Sequence, residues 1–219
     1  MRIFRDEEYR EVGCEIVETG SWKQAPKEAI ILGLKEIKEA PETLKHQHIY
    51  FAHCFKGQEG SKDLLGRFVR GQGRLFDLEF LTQENGQRVA AFGVWAGFAG
   101  AGLGLQTWAM TQKGQDPNAM APVKPYTHSQ DFVEKIRTQL PRQPRVLIIG
   151  ARGRCGRGAK KFLNELGIAP VEWNSKETKG RTPIPEILDF DLMINCALTM
   201  GKAEPFLTQE LLDTTPQRQ

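Results

Sequence analysis

Val146-Leu147-Ile148-Ile149-Gly150-Ala151-Arg152-Gly153-Arg154-Cys155-Gly156-Arg157-Gly158 is an apolar run that enters a glycine-punctuated turn. A helix-like stretch, Ala159 to Leu166, follows. Strand, glycine turn and helix in this order form a dinucleotide site: the glycines let backbone approach a pyrophosphate, which then rests on the helix N-terminus. The spacing Gly150-x-x-Gly153-x-x-Gly156 departs from G-x-G-x-x-G, so the flanking strand and helix carry the reading, and a glycine-rich turn that merely packs tightly is the bland alternative. The cations around it, Arg152 to Lys161, favour phosphates or face water.

Working downstream, Pro170 to Trp173 and Asp191 to Cys196 read as two more strands, with a helix starting near Thr208. That gives three of the six strands of a full dinucleotide fold before the sequence ends at Gln219, so the expectation is a half domain. At the end of its second strand, where an acidic residue normally holds the adenine ribose of NAD, stands Asn174-Ser175-Lys176. An amide, a hydroxyl and a cation tolerate a ribose 2′-phosphate, and Arg152 adds charge, which brings NADP into consideration; Asn174 bonding an ordinary ribose is the other reading.

Upstream, Ile30 to Leu34 and His48 to Ala52 are short apolar runs, expected to be strands covered on both faces. Leu64, Leu65, Phe68 and Val69 recur at helical spacing, Arg74 to Phe80 alternates, Glu84-Asn85-Gly86 is a hairpin-type turn, and Val89 to Phe92 begins another apolar segment. Gly97 to Met110 reads as a buried helix in which Gly97, Gly100 and Gly104 permit close packing. A polar loop follows, then a helix capped by Ser129. The expected organisation is a first domain over 1–95, a connector over 96–143 and a dinucleotide domain over 144–219. The fold class is α/β: two Rossmann-like domains of parallel sheets with flanking helices, both incomplete.

Bulk properties narrow the function classes. A 219-residue chain with 40% hydrophobic content can bury a real core. A net charge of +3 gives no argument for nucleic acid or an anionic membrane surface. No apolar run reaches the ~20 residues of a membrane span, the N-terminus lacks an apolar signal core, and four cysteines without a C-x-x-C pair do not make a disulfide scaffold. The expected location is the cytoplasm, with small-molecule partners and no metal.

Two strand ends carry chemistry. Lys35, in Gly33-Leu34-Lys35-Glu36, stands where parallel sheets place ligands. An ion pair with Glu36 or a solvated strand end is the plainer alternative. His53, in Phe51-Ala52-His53-Cys54-Phe55-Lys56, ends the next strand and brings the side chain that titrates nearest neutral pH, or else a hydrogen-bonded core histidine. Lys56, Glu79 and Arg88 extend a convergent polar cluster.

The segments GLKE, HIYFAHCFK, LFDLEF, RVAAFG and VLIIGARGRCG, in this order along nearly the whole chain, resemble the lysine-forming saccharopine dehydrogenases, whose fold is shared with alanine dehydrogenase and the transhydrogenase nucleotide-binding subunit. The resemblance implies oxidation of saccharopine by NAD and water to lysine and 2-oxoglutarate. It implies Lys35 and His53 as an acid–base pair, with Glu36 and Glu79 tuning them. It places substrate on Lys56, Gln58, Arg88 and Phe92. Gly150, Gly153, Arg154, Gly156, Asn174 and Thr178 take the cofactor. Cys155 and Cys196 match positions that can form a disulfide, two free thiols being the alternative in a reducing compartment. Asn174, Gln87 and Leu198 stand where the family has aspartate, arginine and tyrosine. The resemblance also implies that the sequence starts after an opening βα unit and stops before the remaining cofactor strands, so low stability or aggregation is expected of it. An alanine dehydrogenase-like enzyme and a non-catalytic nucleotide-binding or interaction fragment are the alternatives.

Overall fold

A computed structural model of the chain describes residues 4–35, 37, 41–198 and 204–214. In chain order the elements are α1 (Asp6–Glu11), β1 (Ile30–Leu32), β2 (Gln47–Tyr50), α2 (Ser61–Gly71), β3 (Arg74–Asp77), α3 (Gly93–Gln112), α4 (Ser129–Gln139), β4 (Val146–Ile149), α5 (Arg154–Glu165), β5 (Val171–Trp173), α6 (Ser175–Thr178), β6 (Leu192–Asn195) and α7 (Gln209–Thr214). They divide into two compact units, Met1–Ala91 and Phe92–Gln219, each with its own three-stranded parallel sheet. The class is therefore α/β with parallel sheets and flanking helices, each sheet holding three strands among the described residues.

In the second unit the strand order is β5-β4-β6. β4 is central, and all four of its residues are buried, which is why it reads as an uninterrupted apolar run. Leu147 pairs with Val171 on one side and Met193 on the other. The entry to β4 is fixed by Asp191, whose carboxylate accepts from Arg142 NH2 at 2.7 Å and from the Arg145 N–H at 2.7 Å. That pairing holds the Asp191 carboxyl below the usual carboxylate range, the Arg142 hydrogen bond being the largest cause.

One face of the sheet is covered by α3, α4 and α5, through Phe98, Ala101, Leu105, Phe132, Ile136, Phe162 and Leu163. The expected connector thus packs inside this unit. α3 buries one face rather than its whole circumference: Phe98, Leu105 and Trp108 are buried while Trp95 is half exposed. The glycines that let α3 meet α5 are only partly the expected ones. A Cβ on Gly97 would overlap the Cys155 carbonyl, and one on Gly158 would overlap the Val94 carbonyl. Gly100 faces open space and Gly104 touches only Leu192, so neither sets the approach. The helix after the polar loop begins as expected, but Ser129 is its first residue. His128 precedes it as the cap, donating its N–H to Asp131 Oδ2 at 3.1 Å.

In the first unit β2 is central in the order β1-β2-β3. The expectation of strands covered on both faces fails here. Leu32, Ile49 and Phe76 share one row across the sheet, and among the described residues nothing covers it: Leu32 is 75% and Phe76 50% exposed. The opposite face of β2 points inward with His46, His48 and Tyr50, packed with Leu44, Phe68 and Trp22. Glu84-Asn85-Gly86 turns as expected, Gly86 adopting φ 77° between the bridged residues Thr82 and Arg88. The apolar segment that begins at Val89 is half exposed at Val89 and Phe92.

Candidate active site

β1 and β2 are parallel and adjacent, so their carboxyl ends open at one edge of the sheet. Lys35 and His53 follow those ends, and Lys35 Nζ lies 3.3 Å from His53 Nε2. A hydrogen bond between an amine and an imidazole nitrogen shares a single proton. His53 holds this position with φ 52°, in the left-handed region that non-glycine residues seldom enter. Such a backbone recurs where side-chain aim matters more than local comfort. Glu36 lies outside the described residues.

Beside the pair stands a second charged group. Lys56 Nζ donates to Glu79 Oε1 at 2.6 Å, and Arg88 NH1 is 3.8 Å from the same oxygen. The Glu79 carboxyl is held below its ordinary range, chiefly by the Lys56 hydrogen bond and further by the Arg88 and His53 charges. Glu79 itself is placed by Asp77, whose Oδ1 accepts the Glu79 N–H at 2.9 Å. Two cations around one carboxylate leave a net positive charge for an anionic ligand. Gln58 Oε1 accepts the Lys56 N–H at 2.8 Å, which leaves the Gln58 amide as a donor.

His53 and Gln58 line a cavity of about 470 Å³ that also takes in Ser61 and Arg67 of α2. Arg67 is a member of this site that the sequence did not reveal, because it looks like any polar residue on an amphipathic helix. It is 9% exposed, and its Nε donates to the Pro41 carbonyl at 3.1 Å.

The second unit holds the residues expected to take the cofactor. Gly150, Gly153, Asn174 and Thr178 line one cleft of about 690 Å³, together with Arg152, Lys179 and Leu198. This is within the size of pockets that bind small cofactors, roughly 300–1,000 Å³. Gly150 turns at φ 79°, where a Cβ would press on the Ala197 nitrogen at 2.8 Å. Gly153 is the N-cap of α5 and offers no side chain to its first turn, the end of a helix that favours an anion. The residues present therefore fit a nucleotide pyrophosphate.

Two members of the expected cofactor set sit elsewhere. Gly156 is packed under the turn, where a Cβ would collide with the Gly150 carbonyl and Ala151, so it shapes the loop from below. Arg154 opens α5 with its Cβ directed at Gly93. Asn174 caps α6: its Oδ1 accepts the Arg152 N–H at 3.1 Å, and its own N–H donates to Glu177 Oε2 at 2.7 Å. The Thr178 hydroxyl donates to the Asn174 carbonyl at 3.0 Å. Phe92 begins the second unit, at the foot of α3. Cys155 and Cys196 are free thiols; burial pushes the Cys196 thiol up, and the neighbouring Cys155 adds to the shift. Among the described residues no group of His, Cys, Asp and Glu is arranged to hold a metal, and no helix is long and apolar enough to cross a membrane.

Residues 1–99 match the alanine dehydrogenase/PNT N-terminal domain. The chain is 45% identical over 223 residues to the saccharopine dehydrogenase (NAD+, L-lysine-forming) of Yarrowia lipolytica, covering 97% of this chain and 60% of that protein. Its identity to the enzyme of the same name from Candida glabrata is 46% over 222 residues. A more distant relative is the mitochondrial alpha-aminoadipic semialdehyde synthase of Mus musculus, 27% identical over 186 residues. The chain spans about 60% of the length of the Yarrowia lipolytica and Candida glabrata enzymes.

Proposed function

Since the chain is 45–46% identical to L-lysine-forming saccharopine dehydrogenases over about 60% of their length, we propose that it serves nicotinamide-dependent oxidative cleavage of saccharopine to lysine and 2-oxoglutarate. The observation that supports this most directly is the 3.3 Å contact between Lys35 Nζ and His53 Nε2.

The reaction removes a hydride from the carbon next to a secondary amine, adds water to the resulting imine, and expels lysine from the carbinolamine. A bound nicotinamide supplies the hydride acceptor. Everything else is proton movement and charge placement, which is what the first unit offers. One member of the Lys35–His53 pair takes the proton released as the amine becomes an imine. The other deprotonates the attacking water and returns a proton to the departing lysine nitrogen. Lys56 and Arg88 meet the carboxylates of the substrate, with Glu79 holding both cations in place and offsetting one charge. Gln58 donates its amide to the same ligand. In the second unit the turn of Gly150 and Gly153 receives the pyrophosphate. The relatives' names specify NAD+; Asn174 brings NADP within reach as well.

The test follows oxidation of NADH and NADPH by the protein in the presence of lysine and 2-oxoglutarate. Lys35→Met and His53→Gln are each expected to lower kcat by ~100-fold or more, the usual share of a positioned acid or base. Near-full rates across the pH range in either variant would remove that residue from the chemistry. No turnover with either nicotinamide would overturn the catalytic reading and leave a nucleotide-binding module.

A further inference from the structure

The cleft of the second unit chooses between the two nicotinamide cofactors at the end of β5. This step rests on the dinucleotide reading of the glycine turn. An aspartate at position 174 would give one oxygen to the Arg152 N–H and keep the other as an acceptor for a ribose hydroxyl, with a full negative charge. Asn174 keeps the first role, since its Oδ1 accepts the Arg152 N–H at 3.1 Å. Its remaining group is then the NH2, a donor without charge. The switch from charged acceptor to neutral donor removes the repulsion that excludes a phosphate.

The same hydrogen bond fixes where Arg152 stands. Its backbone is one bond from the Asn174 amide, and its exposed side chain lines the cleft beside Gly153. Lys179, at the end of α6, lines the same cleft and is exposed. Against these cations stand Glu204 in the lining and Glu177, whose carboxylate is taken up by the Asn174 N–H. Two exposed cations and a neutral amide in the cleft lining present donors to a dianion, and the guanidinium matches phosphate geometry.

We propose that this cleft is built for an adenosine carrying a 2′-phosphate, held by Arg152 and Lys179 with the Asn174 amide as donor, so that the chain binds NADP(H) in preference to NAD(H).

Calorimetric titration of the protein with adenosine 2′,5′-bisphosphate and with 5′-AMP isolates the 2′-phosphate without any need for turnover. The bisphosphate is expected to bind at least ~10-fold more tightly, the scale of one hydrogen bond to a charged group. That advantage should shrink as salt is raised. Arg152→Leu should remove most of the advantage while 5′-AMP still binds; Lys179→Gln should remove part of it. Asn174→Asp should reverse the preference. NADPH and NADH should follow the same order. Equal binding of the two probes, or tighter binding of 5′-AMP, overturns this inference and leaves the dinucleotide site intact. Binding of neither overturns both.

Discussion

His48 shows how a single side chain can set the pH response of a whole unit. It is 1% exposed on the inner face of β2, between Trp22 and Phe68, each about 5.3 Å away in edge-on contact. Burial, then the His46 and Arg67 charges, lower its pKa from 6.5 to about 4. In the unfolded chain the imidazole recovers its ordinary affinity, so between these values the unfolded state binds more protons. Stability from the neutral His48 is present above about pH 6.5 and is lost as pH falls toward about 4, by roughly 3 kcal/mol in all. Denaturant unfolding of the wild type should show that acid loss, and His48→Leu should flatten it. The same pH slope in both proteins would mean that other groups govern it. The sequence carried a sign of this: His46, His48 and Tyr50 alternate, the period of one strand face. Reading His48 to Ala52 as a simple apolar run hid it, because polarity alone says nothing about which face is covered. His53 was legible as a candidate from its strand-end position, but its left-handed backbone was not, since no glycine or turn residue marks it.

Among elements, the contact between α3 and α5 decides how the glycine turn before α5 is backed. Gly97 sits against the Cys155 carbonyl and Gly158 against the Val94 carbonyl, backbone to backbone. Backbone cannot step aside as a flexible side chain can. Gly158→Ala is therefore expected to destabilise the second unit by about 1–3 kcal/mol, the range for overpacked sites. Gly100→Ala, on the exposed side of α3 with nothing within 4 Å, should gain about 1 kcal/mol from helix propensity. Thermal unfolding of the two variants checks both signs, and equal effects would mean that helix propensity rather than packing governs the interface. The strand, glycine turn and helix around Gly150 were legible because β4 is buried on every side and its run of Val and Ile has no competing reading. Which glycines of α3 meet a neighbour was not legible, because rotation about the helix axis depends on partners far along the chain.

For the molecule as a whole, the uneven cover of its two sheets is the governing property. β4 lies between two strands with all four residues buried, while among the described residues β1 pairs only with β2 and exposes Ile30 and Leu32 by 61% and 75%. An open apolar edge of a parallel sheet invites pairing with another chain. Sedimentation across a concentration series should show association of the wild type, reduced in Leu32→Lys; a wild type that stays monodisperse throughout would show that the edge is inert. His53 draws these scales together. Its φ of 52° and its imidazole are separate demands on one position. Under the proposed acid–base role, glycine or asparagine would satisfy the backbone, and neither can relay a proton. In evolutionary terms a change to either of them relieves one constraint and forfeits the other, so under that role this residue is expected to drift little as the surface around it diverges.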